Sequence, residues 1–549
     1  MCGIFFVKKN EDISEEKVNL EFEKSKNRGG IPPDDSKFFL IGEYYLGFHR
    51  LSINGLNTKS NQPFYKNGIY VICNGEIYNY KELYSYIGIK SETDSDCEII
   101  IDLYQLYPID YFINLLDGVF SFIIYDTRKN LVLIGRDPFG VRPLYYSHDC
   151  NNFSSELKQI NNLTTETITQ FPPGHFLIKN KLTKVTNVTN VTNVTNVTNV
   201  TNVTNVLNKY HILTQYYMPQ CAQYKNFADE RNYYKSLIRG TLINAVKKRL
   251  LSDRPIACLL SGGLDSSLIT SIVVNLLKDK TKNKLETFSI GLPGSTDLVY
   301  AKKVANYLGT KHKEILLTED DFFNAIPEVI EKIESYDTTT VRASVGNYLI
   351  SKYISQNSEA KVIFNGDGSD ELTGGYLYFL RAPNSLLFDF EVKHLLQNIH
   401  YFDVLRSDRS ISSCGLEPRT PFLDKTFVNT YLSIPLYYRK QEVNEIEKKI
   451  LRDSFIEFLP TDVLYRKKEA FSDGVSGNDR SWYQVIAEKL DKIDIPIFEH
   501  NEKHMCPKTK EQMYYRYLFE QKYPKRENVI PYFWMPKWSN TTDPSARTL

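Results

Sequence analysis

The 549-residue sequence predicts an α+β amino-terminal domain of packed antiparallel sheets with flanking helices, followed by an α/β carboxy-terminal domain with a parallel sheet and a helical end. Three observations predict this. From Met1 to about Lys179 the chain is a succession of short apolar, β-branched and aromatic runs cut by Gly, Pro, Asn and Asp, the mark of strands and turns. After Tyr216, helical stretches alternate with short buried strands, as parallel βαβ units require. With 42% hydrophobic and 24% charged residues, the composition is that of a globular chain long enough for two cores. We place the domains at 1–216 and 217–549.

In chain order, GIFFV, FFLIGEYYLGFHRLSI, GIYVICNGEIYNY, GVFSFIIYD, LVLIGRD, PLYYS and GHFLI read as strands. A helix is expected from Ser95 to Leu106, capped by Asp94 or Asp96. Seven copies of Val-Thr-Asn follow from Val185 to Asn205, a low-complexity surface loop whose unit is too short to stack into a solenoid. Beyond it, helices over 229–251, 267–278 and 298–308 alternate with the strands IACLL, TFSIGL, KEILL and KVIFNG. The last third, roughly 385–549, is expected to be helical and to cover one end of the sheet.

A net charge of +1 from 67 basic and 66 acidic residues provides no field for nucleic acid or an anionic membrane, so the expected partners are small molecules. No apolar run approaches the roughly 20 residues of a membrane span. The opening MCGIFFVKKNED lacks the pattern of a signal peptide. Eight cysteines without CxxC spacing indicate neither a zinc site nor a disulfide scaffold, and imply a reducing, cytoplasmic setting.

The run IACLLSGGLDSSLITSIVV puts a buried strand, a Ser-Gly-Gly turn and a helix start in succession. Backbone N–H groups from Ser261 to Ser267 then face outward at a positive helix end, which is an anion cradle. Gly262 and Gly263 permit close approach to phosphate oxygens, Ser261, Ser266 and Ser267 add hydroxyls, and Asp265 can hold magnesium. Since the lysine of a Walker A loop is absent, binding of pyrophosphate is expected rather than γ-phosphate transfer. Asp367, Asp370 and Glu371 lie just past a buried strand, where open α/β sheets bind ligands, and suit magnesium binding and proton removal.

SGGLDSS resembles the signature of N-type ATP-pyrophosphatases, which adenylate a carboxylate. That resemblance implies ATP contacts at Leu259, Ser261, Gly262, Gly263, Asp265, Ser266, Ile290, Asn365 and Gly366, with Mg2+ at Asp265 and Asp370. The segments YDTTTVRAS, GDGSDELTGGY, GLEPRTPFLDK and YRKKEAFSDGV are similar, in order, to those of asparagine synthetases. Amidation of aspartate through β-aspartyl-AMP is implied, with Asp367 and Lys468 catalytic, and Arg342 and Lys448 contacting phosphate or aspartate. A related enzyme amidating another carboxylate is the nearest alternative, against which TTTVRAS and GDGSDE favour aspartate. Asp367 departs from that family's glutamate, shortening the side chain by one bond of roughly 1.5 Å.

Cys2 would expose a free α-amine beside its thiol once Met1 is removed. The amine titrates near about 7.7–8.0 and the thiol near about 8.5, so the residue supplies its own base. MCGIF, GFHRLSI, CNGEIYNY, TDSDCEII and GRDPFGVRPLYY resemble, in order, the segments of class II glutamine amidotransferases, of Ntn-hydrolase-like fold. By that resemblance Arg50 pairs with the glutamine carboxylate and Asp96 with its ammonium. Asn74 and the Gly75 N–H form the oxyanion hole. Glu76 and the backbone of Leu51, Ser52, Ile53 and Asn54 line the pocket. Arg28, in the stretched turn RGGIPPD, stays outside the site, and GRDPFGVRPLYY is scaffold. The partners expected are glutamine, aspartate and ATP, with a homodimer possible.

Overall fold

A computed structural model describes residues 2–180, 204–213, 227–279, 283–467, 481–499, 501, 503–541 and 544. Among the described residues, twelve strands build the amino-terminal part: β1 (Gly3–Lys8), β2 (Asp35–Ile41), β3 (Tyr44–Arg50), β4 (Phe64–Lys66), β5 (Ile69–Ile77), β6 (Gly118–Asp126), β7 (Leu131–Arg136), β8 (Tyr145–Ser147), β9 (Asn152–Ser154), β10 (Ile168–Gln170), β11 (His175–Asn180) and β12 (Thr204–Lys209). They form two six-stranded sheets, ordered β10-β8-β9-β1-β3-β2 and β12-β11-β7-β6-β5-β4, and the recorded pairings are antiparallel. Ile4, Phe6, Leu46 and Phe48 of one sheet pack with Ile72, Ile123 and Ile134 of the other. Alternation along each strand sends these residues to a shared face.

Each expected strand is present, and the long FFLIGEYYLGFHRLSI run folds back at Gly42 into β2 and β3. The helix expected over Ser95–Leu106 divides into a 3₁₀ turn, Asp96–Glu98, and an α-helix, Ile99–Leu106. Its cap is Ser95, which accepts from Cys97 N–H; Asp96 instead points inward and accepts from Ile77 N–H. Helices Glu15–Glu23 and Tyr80–Ile87 were not expected. The first is mostly charged and buries only Val18, Glu21 and Phe22, too narrow a stripe to show as periodicity. The Val-Thr-Asn tract lies outside the described residues except for Thr204 and Asn205, which begin β12 beside β11.

The second half is organised, among the described residues, by five parallel strands, β13 (Ile256–Leu259), β14 (Glu286–Gly291), β15 (Lys311–Leu316), β16 (Val362–Phe364) and β17 (Glu417–Arg419), ordered β15-β14-β13-β16-β17. The first four are those expected. Three-residue β17, with Pro418 at its centre, carries no periodicity and sits at the sheet edge, where a missing N–H is tolerated. From β13 the chain proceeds outward to β14 and β15, then returns to place β16 on β13's other side. The carboxyl ends of β13 and β16 therefore flank a topological switch point, where a crevice opens.

Apolar packing crosses between the halves. Leu51, Ile53 and Tyr78 lie in one cluster with Ile238, Leu242 and Val246 of the helix Phe227–Arg249.

Candidate functional sites

Cys2 immediately precedes β1, and Asn74 lies within β5 of the facing sheet. The Cys2 N–H donates to Asn74 Oδ1 at 3.2 Å, and its Sγ lies 3.8 Å from the Leu51 carbonyl. Asn74 Nδ2 is buried with no partner among the described residues, a donor held ready beside the thiol. Gly75 is required by crowding: a Cβ there would meet the Val119 carbonyl of β6 at 2.4 Å. Burial pushes the Cys2 thiol up, opposed by its hydrogen bond to Leu51 and by nearby Arg50.

Asp96 is buried, accepts from Ile77 N–H at 2.6 Å, and is pushed by burial up to about 6. A carboxylate in that state gains most from an incoming cation. Arg50 donates to the carbonyls of Asn54, Gly55 and Asn57 and to Asn61 Oδ1, so a ligand carboxylate has to compete with its own loop. Asn54 donates to Glu76, which also faces Arg419 of the second domain at 3.4 Å. The Ser52 and Ile53 carbonyls already accept from Arg254 and Asp253 across the domain boundary, which leaves Leu51 O at the thiol.

Arg28 belongs to this site, contrary to expectation. It is buried, and its Nε–H donates to the Cys2 carbonyl at 3.1 Å while Nη1 reaches Asp408 at 2.8 Å and Glu156 at 3.2 Å. The stretched turn does not displace it, because Gly29 lies so close to the backbone of His49 and Arg50 that a Cβ there would meet their atoms at 3.0 Å. GRDPFGVRPLYY is scaffold, as expected: the Asp137 carboxylate accepts from the N–H groups of Phe139, Val141 and Arg142 and folds the segment around itself.

In the second half, the loop after β13 and the loop after β16 meet at the switch point, lining a cavity of about 210 Å³. Leu259, Ser261, Asp265, Ser266, Ile290, Asn365, Gly366, Asp367 and Asp370 all line it, together with Glu371. Gly262 has φ +75°, and a Cβ there would strike the Ala301 backbone nitrogen at 2.4 Å, so only glycine fits. A Cβ on Gly366 would similarly lie 2.8 Å from Ser266 N. Gly263 caps the helix Leu264–Leu277 and faces a second, smaller cavity lined by Lys448, Arg452 and Arg466. Ser261 and Ser266 join hydroxyls at 2.9 Å. Ser267 is fully buried and lines neither cavity, which corrects its expected role as a phosphate donor.

Lys448 is buried, with its ammonium 2.7 Å from Asp265 and 2.6 Å from Asp370. The two carboxylates expected to hold magnesium thus converge on one cation. That donor set fits Mg2+, which takes one or two carboxylates and completes its shell with phosphate oxygens and water. Among the described residues no group of three or more His, Cys, Asp or Glu side chains is arranged for a metal.

Asp367 accepts from Asn365 Nδ2 at 2.6 Å and from Arg406 Nη2 at 2.9 Å. Burial pushes its carboxyl up, Arg406 opposes this, and neighbouring Asp403 adds to it. Burial pushes Glu371 well above the carboxylate range, with Asp403 and Asp370 contributing, and Tyr376 donates to it. Arg342 is not brought to the cavity. Its guanidinium forms a fork with Glu511, at 2.8 and 2.6 Å, so the expected contact with phosphate or aspartate is corrected. Lys468 lies outside the described residues. Sequence reasoning missed Arg406 and Asp403, whose only local signal is their i,i+3 spacing on the helix Asp403–Ser412.

The family model described as asparagine synthase matches residues 237–393 and 388–541, and that described as glutamine amidotransferase domain matches residues 1–217. The chain is 40% identical to the glutamine-hydrolyzing asparagine synthetase of Mesocricetus auratus, covering 100% of this chain and 98% of that one. It is 39% identical to the Homo sapiens protein of the same description, with the same coverage. The Gallus gallus protein so described is 38% identical, again over 100% and 98%.

Proposed function

The chain belongs to the family of glutamine-hydrolysing asparagine synthetases, and from that premise we propose how its residues divide the work. The enzyme is a ligase that makes L-asparagine from L-aspartate and ATP with glutamine as nitrogen donor, through β-aspartyl-AMP, releasing AMP, pyrophosphate and glutamate. The observation that carries the assignment of residues is the meeting of the 261–267 and 365–371 loops in one cavity at the switch point.

In the glutaminase, spanning 1–216, Cys2 is the nucleophile and its freed α-amine the base. Sγ attacks the glutamine amide carbon, the oxyanion is held by Asn74 Nδ2 and Gly75 N–H, and ammonia leaves as a thioester forms. Water then releases glutamate. Asp96 holds the substrate ammonium and Arg50 its carboxylate, with Glu76 and the Leu51–Asn54 segment shaping the pocket.

In the synthetase, spanning 217–549, the Ser261–Ser266 loop cradles the phosphates, and Leu259, Ile290, Asn365 and Gly366 seat the nucleoside. Asp265 and Asp370 would hold Mg2+, which supplies charge neutralisation to the phosphates. Lys448 then turns from those carboxylates to the phosphate, and Lys468 stabilises charge at the adenylated carboxylate. Asp367 accepts a proton from the ammonia nitrogen as the new C–N bond forms and AMP departs; its buried setting raises its basicity.

We place the enzyme in the cytoplasm, supported by its free thiols; no described helix is long and apolar enough to cross a membrane. The test is production of AMP and asparagine from aspartate, Mg-ATP and either glutamine or ammonium chloride, with the amino terminus checked by mass spectrometry. Asparagine from both nitrogen sources is expected; glutamate without AMP would sink the synthetase assignment.

A further inference from the structure

The cavity at the switch point is strongly acidic. Asp265, Asp367, Asp370, Glu371 and Asp403 all line it, and Arg406 is the only cation among the described residues that do. An aspartate seated there brings an ammonium, which these carboxylates can meet, a β-carboxylate consumed in adenylation, and an α-carboxylate that survives the whole reaction. In a buried site lined with acids that last charge is strongly unfavourable unless a cation meets it.

The residue that sequence likeness pointed to cannot supply this cation as placed, since Arg342 is forked onto Glu511 and does not line the cavity. Arg406 can. It projects from the helix Asp403–Ser412, with Nε donating to Asp403 at 3.1 Å and Nη2 to Asp367 at 2.9 Å. Among the described residues no hydrogen bond takes up its Nη1, and the side chain keeps 11% of its surface open. The two carboxylates fix the guanidinium plane, so an incoming carboxylate meets a donor already oriented.

We propose that Arg406 determines specificity by receiving the α-carboxylate of the amino-acid substrate, and that its pairing with Asp367 sets the recognised group beside the proton acceptor. This rests on the reading of the cavity as the aspartate and ATP site. It predicts that the enzyme recognises aspartate by a group two carbons from the reacting carboxyl.

The test uses the full chain, ammonium chloride as nitrogen source and AMP release as readout. Aspartate is compared with 3-aminopropanoate, which is aspartate without its α-carboxylate, in the wild type and in Arg406→Gln and Arg406→Lys. The wild type should bind 3-aminopropanoate about 100-fold or more weakly than aspartate, since a site built for a polar group rejects the analogue lacking it. Arg406→Gln should weaken aspartate by a similar factor and leave the inhibition constant of 3-aminopropanoate within about threefold, so that the two converge. Arg406→Lys should retain part of the preference.

Equal weakening of both ligands would mean that Arg406 only neutralises Asp367 and Asp403, and would overturn the proposal. Thermal melting checks that the glutamine variant folds. If it does not, the wild-type ratio and the lysine variant decide: a wild type that binds both ligands equally well overturns the proposal. A wild type that releases no AMP with aspartate overturns the reading of the cavity itself, a different result from AMP release without discrimination.

Discussion

Arg28 donates its Nε–H to the carbonyl oxygen of Cys2 at 3.1 Å, and the same guanidinium reaches Asp408 of the synthetase domain at 2.8 Å. The position of the proposed nucleophile is therefore tied to the second domain. Arg142 and Arg409 also face Asp408, at 3.7 and 3.0 Å, and Arg419 bridges Glu417 and Glu76.

Replacing Arg28 by Met removes one buried cation from Glu156, which keeps Lys158 at 2.7 Å, and from Asp408. Breaking a buried pair costs about 3–5 kcal/mol; because Asp408 keeps Arg142 and Arg409, the lower end is expected. The melting temperature should fall, and glutamine hydrolysis should slow by about 10- to 100-fold as Cys2 loses its anchor. Calorimetry with glutamate release checks both, and a variant that melts earlier but hydrolyses glutamine normally would contradict the positioning role.

Cys2→Ala should abolish asparagine synthesis from glutamine and leave synthesis from ammonium chloride, because Asp367, Asp265 and Lys448 lie around the two cavities at the switch point, neither of which Cys2 lines. Parallel assays with the two nitrogen sources decide it. Loss of the ammonia reaction too would show that the sites are not separable.

Asp96 links pH to both stability and glutamine binding. Its folded pKa of about 6 lies above the ordinary 3.8, so the folded form binds the proton more tightly. The resulting stabilisation is fully present below the unfolded pKa and is lost as pH rises through about 6; above it, a buried charge costs roughly 2–3 kcal/mol. Asp96→Asn should therefore melt at a higher temperature at pH 7.5, with little gain at pH 4. Below about pH 6 the wild-type KM for glutamine should climb, since a neutral carboxyl no longer holds the ammonium, whereas the Asn variant should have a high KM without that climb. Melting curves and KM across pH 5–8 test the two effects separately.

Asp367→Asn keeps the size and the hydrogen-bonding capacity toward Arg406 but cannot take a proton. Exchange of pyrophosphate into ATP in the presence of aspartate should persist, while asparagine formation falls by about 10²–10⁴-fold. Asp367→Glu should stay active if reach is not limiting. Equal loss of exchange and synthesis in the Asn variant would assign Asp367 to adenylation instead.

The sequence by itself determined the change from antiparallel to parallel strands, the longer strands of the three sheets and the two loops that meet at the switch point, because each is written in neighbouring residues. A buried strand ending in SGGLDSS has few ways to turn, and glycines at 262 and 366 mark backbone approaches that no side chain would allow. Asn74 and Gly75 were legible only through the likeness of CNGEIYNY to the amidotransferase segment; that β5 brings Asn74 to Cys2 is a result of folding.

Only the tertiary structure decided where the charges go. Arg28, Arg342 and Arg406 are alike as letters, yet one holds the Cys2 carbonyl, one is taken up by Glu511 and one opens into the cavity at the switch point. Ser267, inside the signature, turned inward, and Ser52 and Ile53 gave their carbonyls to the other domain. The physical reason is that a long polar side chain has no fixed partner along the chain. Its role follows from which counter-charge lies within about 3 Å of it after folding, and Arg28 meets Asp408 across 380 residues of sequence.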